Sequence, residues 1–298
     1  MDVVATGIPT PTAFAFGRGT VFVGAFGSED GKTPGGVYVL RDGGAASVRG
    51  LPGVGQLAWR NGTLYGTVGF APDHVARIMA WSGWNGSSFA RKHVVWSGPK
   101  GFAGLTGLAI GSNGRIYAGV GLSDDAGDHK KSTRPFAQSV ISMRLDGSDV
   151  RRVASGLRQP WQFVFAKGVP RPFVTVLGQE NLGKKQPPDY VIIARDGEDY
   201  GFPTCNWSKP AACASSAKPF ALLPAHSSPT GIAAAGSTLY VALFSGRGRG
   251  PEIVTLPVKG GAPKPFLNGF AAPVVAVGAS GNVVYAGDLT GTIYRVER

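Results

Sequence analysis

The chain has few of the residues that reactive sites most often use. Its 298 residues include only two cysteines, four histidines and three methionines. The cysteines do not form a Cys-x-x-Cys metal motif, and the sequence contains no serine nucleophile elbow and no metalloprotease motif. These absences argue against zinc proteins of the finger type and against the common hydrolase classes.

Long apolar segments and helical patterns are also absent. No apolar run approaches the length of a membrane-spanning helix, and no window keeps apolar residues at a 3.6-residue spacing. Short apolar runs instead alternate with Gly, Asn-Gly, Asp-Gly and Pro, and the chain contains 46 glycines and 22 prolines. Such runs are typical of strands joined by tight turns. We therefore predict an all-β protein.

Six segments of the sequence share one plan. Each opens with a loop and a short apolar strand, continues into an aliphatic-aromatic strand, and adds a third strand. A fourth short strand usually precedes the next opening, and four strands in about 40–50 residues are typical of a β-propeller blade. The repeats open at Gly7, Gly50, Gly101 and Gly156, around Ala225 and at Gly269.

The repeats predict a single six-bladed β-propeller domain over residues 1–298, with four antiparallel strands in each blade. The fourth repeat is longer because it carries a polar insertion at about 178–220. The chain ends just after the third strand of repeat six, and its first residues, Asp2–Gly7, look like a fourth strand. We predict that this N-terminal strand completes the last blade and so removes an open sheet edge.

The loops that enter the first strand of each blade are expected to form one mouth of the central channel. Substrate contacts are predicted there at Gln56, Thr106 and Thr230. Trp161 fits either stacking on a ligand ring or packing between blades. His226 is the candidate catalytic base, with an ordinary loop histidine as the alternative.

The net charge of +12 comes from basic residues that are spread along the chain. No nucleic-acid-binding motif accompanies them. They fit either a solvated basic surface or a channel that attracts anionic ligands. The expected partner is a small polar or anionic ligand, a sugar included, with no nucleic acid and no membrane span, bound by a monomer or weak dimer.

Cys205 and Cys213 lie close together in the segment CNWSKPAAC. A local disulfide is predicted, with a free pair as the alternative. A disulfide favours an oxidising compartment, and we expect a secreted or periplasmic protein. The sequence shows no signal peptide, so export implies that this chain is the mature part.

Several motifs resemble the glucose/sorbosone dehydrogenase family over roughly residues 101–298. RRVASGLRQPWQFVF resembles the segment in which that family has Arg-Asn-Pro after a Gly-Leu or Gly-His. ENLGKKQPPDYVIIARDGEDYGFPTCNW resembles its Pro-Pro-Asp-Glu and Tyr-Gly-Trp-Pro-x-Cys stretch. HSSPTGIA and GDLTGTIYRV resemble its last two blades.

The resemblance implies an exported six-bladed quinoprotein that binds pyrroloquinoline quinone (PQQ) with calcium and oxidises sugars. On this resemblance Arg158 and Gln159 would contact the quinone, with Trp161 beside it. Asp189 and Tyr200 would lie near the calcium ion or the loop that it holds.

The sequence departs from the family pattern at three places. The loop entering the third blade, GFAGLTGLAI, lacks the family's catalytic histidine, and neither Ala103 nor Thr106 can act as a base. Gln159 replaces an asparagine, and Tyr190 replaces an acidic residue after Asp189. The alternative is a non-catalytic propeller that binds a ligand or a protein, and a lactonase-type hydrolase is a third reading.

Overall fold

A computed structural model of the chain describes residues 1–28, 30–69, 75–121, 132–180, 182, 186–246, 248 and 250–298. The described strands form six sheets, each built mainly of four antiparallel strands. The predicted six-bladed propeller is therefore confirmed.

The first half of the chain supplies blades 1 to 3. The strands are β1 (Asp2–Ala5), β2 (Pro11–Gly17), β3 (Thr20–Gly27), β4 (Pro34–Arg41), β5 (Gly44–Ser47), β6 (Gln56–Arg60), β7 (Thr63–Val68), β8 (Arg77–Trp84), β9 (Phe89–Ser97), β10 (Leu105–Ile110), β11 (Arg115–Val120), β12 (Ser139–Arg144) and β13 (Arg151–Ser155). Blade 1 is β2–β5, blade 2 is β6–β9 and blade 3 is β10–β13.

The second half supplies blades 4 to 6. The strands are β14 (Gln159–Val164), β15 (Phe173–Leu177), β16 (Pro188–Ile193), β17 (Glu198–Asp199), β18 (Ala221–Ala225), β19 (Pro229–Ala235), β20 (Thr238–Leu243), β21 (Glu252–Pro257), β22 (Lys264–Leu267), β23 (Val274–Ser280), β24 (Val283–Asp288) and β25 (Ile293–Glu297). Blade 4 is β14, β15, β16 and β18, blade 5 is β19–β22, and blade 6 is β23–β25 with β1.

The N-terminal strand closes the ring, as predicted. β1 pairs antiparallel with β25, with Val3 opposite Tyr294 and Ala5 opposite Ile293. The outer edge of blade 6 is therefore covered by the other end of the chain. This pairing ties the first and last blades together, so the ring has no open seam.

The innermost strands β2, β6, β10, β14, β19 and β23 surround the axis. Each of them contacts the next, and β23 contacts β2. Blades 1 and 4 are consequently opposite each other across the channel. All six strands begin at one end of the axis, which we call the mouth.

The core lies between the sheets. Each of the six apolar clusters draws its buried residues from two neighbouring blades. The cluster between blades 6 and 1, for example, contains Ala5, Ile8 and Ile293 together with Phe14 and Val23. Because a lone sheet exposes both faces, every blade depends on its neighbours for burial.

The turn between β6 and β7 has residues that suit its backbone conformation. Asn61 and Gly62 join β6 to β7, with φ values of 48° and 80°. Two successive positive φ values are the signature of a type I′ turn, and Asn-Gly is the sequence that this turn prefers. The Asn-Gly pair in the sequence thus forms the turn between these two strands.

Strand β16 divides the predicted insertion at 178–220 into two segments, of which the second is 194–220. β16 lies inside the range 178–220 and is an interior strand of blade 4. The second segment, 194–220, leaves blade 4, adds β17 in parallel to β13 of blade 3, and forms a short 3-10 helix at Pro210–Cys213. Cys205 and Cys213 form the predicted disulfide. Among the described residues, no helix is long and apolar enough to span a membrane.

Candidate functional site

A pocket opens at the mouth of the channel. Its volume is about 210 Å³. Blades 1, 2, 4, 5 and 6 contribute to its wall, which consists of Thr10, Thr12, Phe26, Gly55, Trp161, Gln162, Thr230, Phe244 and Val275. None of these side chains is ionisable. We call this cavity the mouth pocket.

Three aromatic side chains dominate the mouth pocket. Phe26 comes from blade 1, Trp161 from blade 4 and Phe244 from blade 5, and all three are half-buried. Half-buried aromatic rings around a concavity, with a few hydroxyl and amide groups between them, are typical of small-molecule sites. The mouth pocket is therefore suited to a ring-shaped, uncharged ligand.

The backbone of the pocket wall is strained. Thr10 has a φ of 52°, in the left-handed region that β-branched residues rarely adopt. Its carbonyl accepts a hydrogen bond from the Phe26 amide, at 3.1 Å. Ser228, with a φ of 48°, makes the equivalent bond to the Phe244 amide in blade 5. Strain of this kind tends to accumulate where a ligand is bound, and it sets the position of both phenylalanines.

Below the mouth pocket the axis continues as an inner channel of about 280 Å³. Its wall is formed by the six innermost strands, and more than half of its surface is polar. Gln56 lies in this wall, and its Oε1 atom is buried without a hydrogen-bond partner. An unpaired buried acceptor costs about 1–3 kcal/mol, so a donor placed beside Gln56 would stabilise the protein.

Threonine hydroxyls join neighbouring blades around the mouth. Each of four threonines at the mouth end of a strand donates to a backbone carbonyl of the next blade. The donor and acceptor pairs are Thr12 with Val54, Thr67 with Thr106, Thr106 with Pro160, and Thr230 with Val274. We call this set the threonine collar. Two of the predicted substrate contacts, Thr106 and Thr230, belong to it.

The collar gives a first testable prediction. Thr106→Val is expected to lower the free energy of unfolding by about 2 kcal/mol, because the buried Pro160 carbonyl loses its donor. Thr106→Ser keeps the hydroxyl and should lose less than half as much. Urea denaturation measures both variants. Weaker ligand binding by Thr106→Val at unchanged stability would instead support a substrate contact.

Arg158 and Gln159 line neither the mouth pocket nor the inner channel. Arg158 is only 4% exposed, and its charge acts on the buried Tyr190 phenol. Burial raises the pKa of Tyr190, Asp189 raises it further, and Arg158 opposes both. The Gln159 amide lies against the backbone of Gly121, where any Cβ would overlap it. Arg158 is thus buried near Tyr190 of blade 4, and Gln159 lies against blade 3.

Asp189 holds three chain segments together. Its Oδ1 accepts a hydrogen bond from the Gly178 amide at 2.7 Å. Its Oδ2 accepts one from the Ser228 amide at 2.8 Å and one from the Ser227 hydroxyl at 3.1 Å. Asp189 is 5% exposed, and burial raises its pKa although the three donors oppose that rise. The carboxyl group therefore fixes the loop that leads into β19 and Thr230.

Tyr200 does not share a site with Asp189. Its hydroxyl contacts the Ile193 carbonyl at 3.0 Å and the Glu198 carboxylate at 2.7 Å. Ile193 is four residues beyond Asp189 on β16, which places it about 13 Å away. Burial and the Glu198 carboxylate raise the pKa of Tyr200.

These contacts do not fit the calcium site that the resemblance implies. Calcium requires several oxygen atoms that converge on one point. The Asp189 oxygens are directed at N–H and O–H donors, and the Tyr200 hydroxyl lies at the other end of β16. Within the described part of the chain, no three His, Cys, Asp or Glu side chains are grouped as metal ligands would be.

The described lining of the mouth pocket also does not fit an anionic quinone. PQQ carries carboxylates, which need cationic or N–H-rich surroundings. The described residues that line the pocket include no lysine or arginine. Lys184, Lys185, Arg247 and Arg249 lie outside the described residues. The same is true of His74 and of the acidic segment that contains Asp124, Asp125, Asp128 and His129.

His226 is exposed on the rim and has a φ of 57°. It does not line the mouth pocket, although its neighbours Ser227 and Ser228 are held by Asp189. Of the predicted site residues, the structure brings Trp161 and Thr230 into the mouth pocket and Gln56 into the inner channel. It does not bring Arg158, Gln159 or His226 to either cavity.

Seven of the nine described pocket residues were not predicted as site residues, and the three with the largest side chains are Phe26, Phe244 and Gln162. Phe26 and Phe244 end equivalent strands, in VGAFG and VALFS, so an alignment of the repeats on the strand ends would have singled them out. Gln162 follows Trp161 in the first strand of blade 4. Nothing in the sequence distinguishes it from a core position, because the direction of its side chain depends on the closed ring.

Comparison with known proteins supports the resemblance at the level of the fold. No protein-family model and no curated protein sequence matches the chain. A solved structure from Thermus thermophilus, described as an oxidoreductase (glucose dehydrogenase), is 18% identical, with a TM-score of 0.76 over 99% of this chain and 98% of that one. A second, described as a glucose dehydrogenase, is 13% identical with the same TM-score over 100% of this chain and 98% of that one.

A third structure shows how widely this architecture is used. A nidogen/laminin complex contains a chain that is 12% identical, with a TM-score of 0.56 over 94% of this chain and 90% of that one. At such identities the similarity establishes the fold and not the chemistry. The chain is thus a six-bladed propeller whose structural neighbours include glucose dehydrogenases.

Proposed function

We propose that the protein binds a small, neutral, ring-shaped ligand in the mouth pocket, with monosaccharides as the first class to test. The observation that carries the proposal is the convergence of Phe26, Trp161 and Phe244 on one cavity at the axis. A volume of about 210 Å³ suits a single ring. It is below the roughly 300–1,000 Å³ of pockets that hold drug-sized ligands.

The choice of sugars rests on chemistry and on the neighbours. A sugar ring has apolar C–H faces that can lie on an indole, and hydroxyls that can bond to groups such as the Thr230 hydroxyl and the Gln162 amide. Two structural neighbours are described as glucose dehydrogenases. We place this activity outside the cytoplasm, because the disulfide Cys205–Cys213 favours an oxidising compartment.

Isothermal titration calorimetry tests the proposal. D-Glucose and a panel of other neutral monosaccharides are titrated into the wild-type protein, with sugar acids and sugar phosphates as an anionic panel. A neutral sugar is expected to bind at least tenfold more weakly to Trp161→Ala, because the largest ring of the pocket is lost. Trp161→Phe keeps an aromatic face and should lose less than threefold. Equal affinities for wild type and Trp161→Ala, or binding of the anionic panel alone, would contradict the proposal.

Sugar oxidation with PQQ and calcium is the second candidate function. The family motifs over residues 101–298 and the two glucose dehydrogenase neighbours favour it. No ionisable side chain lines the described mouth pocket, so a general base within reach of a bound sugar has to come from elsewhere. His226 on the rim is the residue to test.

A reconstitution assay separates the two functions. The protein is mixed with PQQ and calcium, and dye reduction is followed with a panel of aldoses. Our proposal of binding without turnover predicts no dye reduction and no change in the quinone spectrum. Dye reduction by wild type that is lost in His226→Gln would establish the oxidoreductase instead.

A further inference from the structure

The side chain of Gln162 crosses the axis of the propeller. Gln162 is in the first strand of blade 4, and its Nε2 atom donates a hydrogen bond to the backbone carbonyl of Thr12 in blade 1, at 3.3 Å. These blades are opposite each other, so the bond spans the channel. Gln162 is 6% exposed, and its backbone amide donates to the Thr175 hydroxyl at 3.0 Å, which fixes its main chain.

The crossing side chain lies between two cavities. Among the described residues that line them, the mouth pocket and the inner channel share Thr12 and Gln162. These are the two residues that the hydrogen bond joins. Gln162 is consequently both the floor of the mouth pocket and the ceiling of the inner channel.

The inner channel offers a different surface from the mouth pocket. Its volume of about 280 Å³ exceeds that of the mouth pocket, and its surface is more polar than that of the mouth pocket. A second sugar ring could donate a hydrogen bond there to the Gln56 Oε1 atom, which has no hydrogen-bond partner among the described residues.

We propose that Gln162 limits the depth of binding, so that the wild-type protein accepts single-ring ligands and excludes ligands that extend into the inner channel. The inference rests on the proposed function, because it takes the mouth pocket as the ligand site. It adds a specificity-determining residue and a second, more polar compartment that opens when Gln162 is shortened.

Paired ligands and paired variants test the proposal. D-Glucose and the disaccharide cellobiose are titrated by calorimetry into wild type, Gln162→Ala and Gln162→Met. In Gln162→Ala the ratio of cellobiose affinity to glucose affinity should rise at least tenfold above the wild-type ratio, because the second ring can enter the inner channel and donate to Gln56. Gln162→Met keeps the length of the side chain without its amide, so its ratio should stay within threefold of wild type.

The outcomes distinguish this inference from the function on which it rests. If wild type does not bind glucose but Gln162→Ala gains at least tenfold in cellobiose affinity, the sugar proposal for the wild-type protein fails and the depth limit stands. If wild type binds glucose and Gln162→Ala shows no gain for cellobiose, the depth limit is overturned and the sugar proposal stands. An equal gain in Gln162→Met also overturns it, since that would reflect general loosening. Thermal unfolding checks each variant, and Gln162→Ser replaces Gln162→Ala if the latter does not fold.

Discussion

Deletion of residues 1–6 is expected to lower the free energy of unfolding by about 4 kcal/mol, the largest effect of any change considered for this chain. The deletion removes β1, and with it the ladder between β1 and β25. Each lost backbone hydrogen bond contributes about 1 kcal/mol, and the buried Ala5 and half-buried Val4 add the loss of their apolar contacts. Denaturation in urea, followed by circular dichroism, measures the change.

A matched control separates the effect of ring closure on stability from the effect of the strand's composition. Val3 belongs to β1 but is 57% exposed, so Val3→Thr keeps the strand and changes only a solvent-facing side chain. It should alter stability by less than about 0.5 kcal/mol. If the deletion were as stable as Val3→Thr, pairing of the chain ends would contribute nothing, and the account of ring closure would be wrong.

Asp189→Ala is expected to destabilise the protein by about 3 kcal/mol and to weaken ligand binding as well. The substitution leaves the Gly178 and Ser228 amides without their acceptor in a buried position, and each such loss costs about 1–3 kcal/mol. The loop at 226–228 then loses the contact that holds Ser228 at its strained φ. Because this loop leads into Thr230, the wall of the mouth pocket should shift with it.

Two comparisons make this prediction specific. Asp189→Asn keeps one acceptor oxygen and should cost about half as much as Asp189→Ala. Addition of calcium or of a chelator should leave the melting temperature of wild type unchanged, because the Asp189 oxygens are occupied by N–H and O–H donors. A calcium-dependent rise in melting temperature that disappears in Asp189→Ala would show instead that the carboxylate is a metal ligand.

The architecture could be predicted because similar segments recur along the sequence at a regular spacing. Six repeats of strand and turn residues, and a spare strand at Asp2–Ala5, specify the blade number and the closure. The position of Trp161 at the mouth followed from its place in the first strand of blade 4. These inferences need only strand order and turn chemistry, which are local.

The site was less predictable because it depends on the direction of side chains across blades. Arg158 precedes a mouth strand, yet its side chain is buried near Tyr190 of blade 4. Asp189 and Tyr200 occur close together in a family motif, but β16 carries the chain away from Asp189 before Tyr200 is reached. The sequence around Phe26 is that of an ordinary strand, and closure of the ring brings its side chain to the same cavity as Trp161.

Nuclear magnetic resonance of the tryptophan side chains tests the central claim most directly. The chain has six tryptophans, all within the described ranges, and of these Trp161 alone lines the mouth pocket. The indole N–H signals are recorded while the neutral sugar that binds most tightly in calorimetry is added, with Trp161→Phe used to assign the Trp161 signal. We predict that the Trp161 signal shifts in a saturable way and that the other five do not move. A saturable shift of any other indole with Trp161 unchanged, or no shift with any neutral sugar, would contradict a ligand site at the mouth of the propeller.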